Sequence, residues 1–277
     1  MIKLSNMKLY HFILSLVFFT TLSCSTSTTE TAEQVASAPA KKQRPSALDS
    51  GKFFDREGRQ MLYGGELESQ HFDVSNSELI DAQFHYGIGR ERFPALLDPK
   101  FTTITAADSI WNDEDRFLLA YKGNDVKAYS VKDLTRHEVV NDMLDGEPIM
   151  AAYCVLADLG AIYERTYGDK VLTFALSGYT YYDPKVWDGL DGFIFWDRET
   201  ESLWWPLIGR SVSGPLKGVG LLEMDKMHWK DTNWGEVKAQ YPNAQVLISG
   251  QDYERPKSWD KIADVSDIRS EFMQSQE

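Results

Sequence analysis

The sequence predicts a β-rich α+β domain: a hairpin-built sheet or partly open barrel with a few short helices. Three observations predict it. Aromatics make up 13% of the 277 residues, and all eight tryptophans fall between Trp111 and Trp259. Short apolar and alternating runs recur with glycine-containing turn signals between them. Only a few segments carry helix caps, and no fixed-period repeat is evident. The hydrophobic content of 43% and the length give ample chain for a real core.

The first element is an address. Lys3 and Lys8 precede the apolar run Phe12–Phe19, which is too short to span a bilayer. The run ends in Thr21-Leu22-Ser23-Cys24, which resembles the lipobox of bacterial lipoproteins. Residues 1–23 are therefore read as a signal peptide and Cys24 as the lipidated residue. An ordinary signal peptide with an incidental cysteine is the alternative. Acyl chains would hold the protein to a membrane without crossing it. Ser25 resembles the signal for onward sorting, so the expected location is the cell envelope, at the outer membrane. Residues 24–50 are rich in Ser, Thr, Ala and Pro and read as a flexible tether.

Residues 51–100 are read as an extension packed on the main domain, and residues 101–277 as that domain with its tail. Phe117–Lys122 and Asp125–Ser130 flank Gly123-Asn124, a two-residue hairpin signal. Ala161–Tyr167 and Lys170–Ser177 flank Gly168-Asp169 and read as a second hairpin. Gly192–Asp197 and Leu203–Leu207 read as a third, with Asp197, Arg198, Glu199 and Glu201 in an exposed turn. Glu147–Cys154 and Gln245–Ile248 read as buried strands. Ser130 or Asp133 caps a short helix to about Val139, Thr232 caps one over 233–240, and 266–274 is a third helix.

Charge excludes more than it identifies. Lys and Arg number 29 against 42 Asp and Glu, a net −13, and signal cleavage would remove two lysines more. No nucleic-acid partner is expected. Two cysteines support neither a disulfide framework nor a four-cysteine zinc site. Gly87-Ile88-Gly89 lacks the third glycine of a dinucleotide loop. No phosphate loop, nucleophile elbow or His-Glu-x-x-His motif is present.

Four segments carry a resemblance. They are His137-Glu138-Val139-Val140-Asn141-Asp142, Tyr153-Cys154-Val155-Leu156, Thr173 to Gly178, and Asp197 to Trp204 followed by Ser213-Gly214-Pro215-Leu216. In order and spacing they resemble domain-of-unknown-function family 3179, over roughly Phe93 to Leu247. That family consists mostly of exported or membrane-attached bacterial and archaeal proteins, and it implies a fold unit without a reaction. Its tyrosine–cysteine segment reads Tyr-Cys-Pro-Leu-Cys. Here Val155 replaces the proline and Ala157 the second cysteine, which puts any cysteine-pair chemistry in doubt.

With Cys24 lipidated, Cys154 is the remaining thiol. It is either a plain core cysteine or a partner of His137. The pair would form a nucleophile and base, or coordinate a transition metal, with Glu138 or Asp142 orienting the imidazole or adding an oxygen. His85 lies in a glycine- and aromatic-rich segment that reads as a binding loop or an ordinary turn. Trp187, Trp196, Trp204, Trp205, Tyr179, Tyr181 and Tyr182 would line a groove or fill the core. The expected function is a membrane-anchored binding or accessory module for a small ligand or an envelope protein. A cysteine–histidine enzyme is the alternative.

Overall fold

The computed structural model describes residues 44–250. The signal peptide, Cys24, most of the tether and the expected helix at 266–274 lie outside the described residues. Among those described, no helix is long and apolar enough to cross a membrane.

Strands β1 (Phe53–Arg56), β2 (Arg59–Leu62) and β3 (Phe72–Asp73) form a small antiparallel sheet. Next come β4 (Phe84–Tyr86), β5 (Lys100–Thr103) and the one-turn helix α1 (Ile104–Ala107). The hairpin β6 (Arg116–Lys122)–β7 (Asp125–Ser130) leads into helix α2 (Val131–His137). A meander follows: β8 (Val139–Leu144), β9 (Glu147–Cys154) and β10 (Leu159–Glu164). The two-residue strands β11 (Thr166–Tyr167) and β12 (Lys170–Val171) pair only with each other. Then come β13 (Phe174–Tyr181), β14 (Gly192–Asp197), β15 (Leu203–Trp205) and β16 (Arg210–Ser213). Strand β17 (Trp229–Asn233), helix α3 (Trp234–Gln240) and β18 (Gln245–Ser249) complete the described chain.

Two five-stranded sheets flank the meander. One has the order β16-β15-β14-β13-β4 and the other β17-β6-β7-β18-β5. The β-rich reading holds, with a few short helices and several sheets, none closed into a barrel. Side-chain alternation explains the stacking. In β9, Ile149, Ala151 and Tyr153 join one apolar cluster, while Met150, Ala152 and Cys154 join another. In β6, Leu118 and Ala120 face the meander's cluster, and Phe117 and Leu119 face Trp234 and Val237 of α3. The layers therefore run from α3 through the β6–β7 sheet and the meander to the β13–β14 sheet. A continuous apolar run such as β9 marks a strand buried on both faces.

The Gly123-Asn124 turn forms as expected. Gly123 takes φ 56°, suited to the first central position of a two-residue hairpin turn. The 161–177 hairpin is corrected. Only residues 165–167 and 170–172 pair across its turn, because Ala161–Glu164 pairs back with β9 and Phe174 onward joins β14. Helix α2 uses Ser130, whose hydroxyl accepts from Asp133 N, and ends at His137, two residues before Val139. Helix α3 is capped by Asn233 rather than Thr232. The Thr232 hydroxyl donates to Glu236 instead.

One boundary moves. Residues 44–50 belong to the folded domain and not to a flexible tether: Ala47 is fully buried and its N–H donates to Phe84 O at 2.6 Å. Residues 53–86 add Leu62, Phe72 and Phe84 to the same apolar cluster as β13 and β14, and β4 pairs with β13. Asp197 is fully buried rather than in an exposed turn. Its carboxylate accepts from Thr200 N, Thr200 Oγ1 and Trp204 Nε1. Of the aromatics, Trp196, Trp204, Trp205, Tyr179 and Tyr181 are buried in the core.

A glycine contact locks β13 to the segment after β4. Gly178 has φ 82°, and a Cβ there would lie 2.2 Å from the Gly89 carbonyl carbon and oxygen. Both the N–H of Gly87 and that of Ile88 donate to Gly178 O. Gly178→Ala is expected to cost at least about 2 kcal/mol, from left-handed strain plus displaced backbone. Urea denaturation of the two proteins measures it.

Candidate functional site

The Glu138 backbone decides the geometry of the site. It caps α2 with φ 53°, a left-handed exit unusual for a residue with a side chain. Its N–H donates to Leu134 O at 2.5 Å, and its carbonyl accepts from Tyr153 N at 2.9 Å. Helix α2 thus turns directly into β8 beside the end of β9. The Glu138 side chain, on a residue only 8% exposed, is delivered into a cavity with Cys154.

That cavity has a volume of about 280 Å³. Its walls are largely apolar: Ile88, Phe93, Val155, Leu156, Leu176 and Phe193. Gly178, Tyr179 and Thr180 bring β13 to it, and Arg44 contributes from the first described turn. The Arg44 guanidinium donates to Tyr86 O at 3.1 Å. Burial lowers its pKa, and the charge of Asp191 partly offsets this.

Burial favours the protonated forms of Glu138 and Cys154 at neutral pH. Burial pushes the Glu138 carboxyl up to about 8, against a hydrogen bond from the Val155 N–H that favours the ionised form. Burial also pushes the Cys154 thiol up to about 12, and the Glu138 charge adds to the shift. Three backbone N–H groups aim at the sulfur and pull the other way. They belong to Phe193 (3.4 Å), Ala157 (3.5 Å) and Leu156. Ala157 is the residue standing where the family pattern has its second cysteine. A thiol held protonated this way is a poor nucleophile.

The other candidates serve elsewhere. His137 is buried at the end of α2, and its Nδ1 lies 2.8 Å from Pro94 O; it does not line this cavity. Asp142 accepts from Lys127 Nζ at 2.9 and 3.0 Å and from Tyr129 OH at 2.7 Å, an ion pair between the meander and the β6–β7 sheet. His85 Nδ1 lies 2.6 Å from Asp191 Oδ2, which also accepts from Thr180 Oγ1 at 2.7 Å. Through Thr180, His85 and Asp191 adjoin the cavity. Among the described residues, no three His, Cys, Asp or Glu side chains are grouped to hold a metal.

Sequence reasoning named Glu138 only as a helper of His137, and it passed over Arg44, Thr180, Asp191 and Phe193. The sequence carries no signal for that torsion: helix α3 ends at Tyr241 without a left-handed residue, so a helix stop before Val139-Val140 does not by itself place one at Glu138.

Two measurements check these surroundings. Glu138→Gln keeps the volume and the acceptor for Val155 N–H. Between the unfolded carboxyl's 4.5 and the folded value of about 8, only the folded state keeps the proton. Wild-type stability from this group therefore falls as pH rises through that window and is level above it. The variant is expected to gain on wild type from pH 4 to pH 9, by an upper limit on the order of 5 kcal/mol. Urea melts across pH measure the difference, and a flat difference contradicts a buried neutral Glu138. In the folded protein at pH 7.5, Cys154 is expected to alkylate at least ~100-fold more slowly than after unfolding. Peptide-resolved mass spectrometry separates its signal from that of Cys24.

The comparisons with known proteins bear on this same region. The family model described as Protein of unknown function (DUF3179) matches residues 90–273. The matched span includes Glu138, Cys154, Thr180 and Phe193 and leaves out Arg44 and His85. No curated protein and no solved structure matches the chain.

Proposed function

Because the chain belongs to the family Protein of unknown function (DUF3179), which supplies no reaction, we propose its function from the cavity: it is a small-molecule-binding module, exported and lipid-anchored at Cys24 in the cell envelope. One observation carries the binding role. A carboxyl on a residue 8% exposed lines a largely apolar cavity of about 280 Å³. Burying such a group costs free energy unless something answers it. The left-handed backbone at Glu138 adds about 1–2 kcal/mol more. Two costs at one residue, directed at one cavity, support a ligand site.

The size sets the ligand. A dry cavity near 150 Å³ holds benzene, so this one suits a molecule of roughly ten non-hydrogen atoms. Largely apolar walls, with the Glu138 carboxyl as the polar group least engaged by the protein, call for a compact apolar body with one hydrogen-bonding group. Cys154 forms part of the wall, and its protonated state suits packing rather than attack. The reading moves the binding centre from His137 to its neighbour Glu138. The anchor is supported by the run from Lys3 to Cys24 and by the Ser- and Thr-rich segment after it.

Small neutral aromatics such as 2-phenylethanol are expected to raise the melting temperature of wild type at millimolar concentration. They should not do so for Leu176→Trp, which fills the cavity; equal shifts in both would remove the cavity as the site. In a bacterial host, the full chain is expected to partition with membranes and incorporate labelled palmitate. Cys24→Ser should lose both, and retention of label in that variant would defeat the anchor.

A further inference from the structure

The polar side chains that line the cavity are not equally engaged. The Tyr179 hydroxyl donates to Tyr63 O, the Thr180 hydroxyl to Asp191, and the Arg44 guanidinium to Tyr86 O. Cys154 Sγ receives three backbone N–H groups. The Glu138 carboxyl receives one, from Val155. Among the described residues it has no side-chain hydrogen bond and no ion pair. An ionised carboxylate offers about four acceptor sites, so most of its capacity faces the cavity unanswered. We infer that the ligand is a small primary amine with an apolar, ring-sized body, its ammonium held by the Glu138 carboxylate. This rests on the cavity being a ligand site and names the chemistry of that ligand.

Three arguments separate an amine from other classes. An ammonium–carboxylate hydrogen bond is about twice as strong as a neutral one, and the gain is larger where water is excluded. A carboxylate ligand would instead meet Glu138 as a like charge, and Arg44, in the same lining, is already committed to Tyr86 O and close to the charge of Asp191. The net charge of −13 favours cations near any opening of the surface.

Protonation gives the inference a signature. The titratable groups lining the same cavity, besides Glu138, are Arg44, Cys154 and Tyr179, and His85 and Asp191 adjoin it through Thr180. Below the carboxyl's folded value of about 8, the ion pair forms only after Glu138 gives up its proton. Apparent affinity for an amine should therefore rise up to about tenfold per pH unit towards that value. It should then level off until the amine itself deprotonates near 10. A neutral alcohol of the same shape has no such rise.

The test is calorimetric titration of the full chain with 2-phenylethylamine, 2-phenylethanol and 3-phenylpropanoate at pH 6 and pH 8.5. The amine is expected to bind at least tenfold more tightly than the alcohol at pH 8.5, with a smaller advantage at pH 6. The acid is expected to bind most weakly. Glu138→Gln should bring the amine to within about twofold of the alcohol. Equal affinity of amine and alcohol in wild type, tightest binding of the acid, or an amine advantage that survives in Glu138→Gln would each overturn the inference. In those cases alcohol binding still supports the cavity as a site. If none of the three probes binds, the cavity reading itself falls, and the inference with it. Should Glu138→Gln fail to fold, the three-probe order and the two-pH comparison in wild type decide the matter.

Discussion

Strand β9 sends Ile149, Ala151 and Tyr153 to one apolar cluster and Met150, Ala152 and Cys154 to another, so its sheet has no solvated face. A three-stranded sheet enclosed in this way must satisfy the backbone of its edges without water. At the β8 edge, Leu96 bridges: its N–H donates to Val139 O, and its carbonyl accepts from Asn141 N. At the β10 edge, Glu164 N donates to Leu222 O and Met224 N to Ile162 O. Side chains do the rest. Asn141 exchanges two hydrogen bonds with the backbone of Phe174, at 2.8 and 2.9 Å, in the manner of a strand pair. Arg165 donates to three carbonyls, those of Ile149, Leu172 and Asp142. These contacts fasten the meander to β13.

The cavity lies where that fastening stops. Beyond Val139 the chain turns back into α2, beyond Cys154 it turns away, and β14 enters at Gly192. Three strand ends part there, and the space between them is lined by Glu138, Cys154 and Phe193. A second cavity of about 250 Å³ lies against Cys154 and Phe193 as well, bordered by Tyr163, Glu223 and Lys226. The thiol and the phenylalanine are thus common to both spaces. The packing that holds the sheets together and the gaps between them have one origin in the short, two-sided meander.

Much of the fold was legible because turn chemistry and alternation act locally. Gly123-Asn124 announces its hairpin whatever surrounds it, and the apolar run of β9 is long enough to mark a strand. The second hairpin was not legible because Ala161–Glu164 answers to β9 and Phe174 onward to β14, distant partners that pull the arms of the turn into different sheets. Asp197 misled for a similar reason. A carboxylate beside Arg198 and Glu199 looks solvated until Trp204, seven residues on, brings its indole N–H to it. At the site, residue type pointed to His137 and Cys154, and Cys154 does line the cavity. The neighbouring glutamate was undervalued because its importance comes from a backbone torsion, and torsions of non-glycine residues leave little trace in sequence. Arg44 was hidden by composition, since it falls within the Ser-, Thr-, Ala- and Pro-rich segment 24–50 that reads as tether.

The peptide groups on both sides of Glu138 are pinned, one to Leu134 O and the other to Tyr153 N. Neither helix nor strand can shift there without breaking a buried hydrogen bond. The Glu138 backbone is consequently a fixed post for a carboxyl that the Val155 N–H also tethers, whereas the facing walls are apolar side chains such as Leu156, Leu176 and Phe193 that offer shape without direction. A pocket built so would be strict about the head of a guest and lenient about its tail. Its selectivity would be set by which polar group reaches the post, and a range of carbon skeletons could share it.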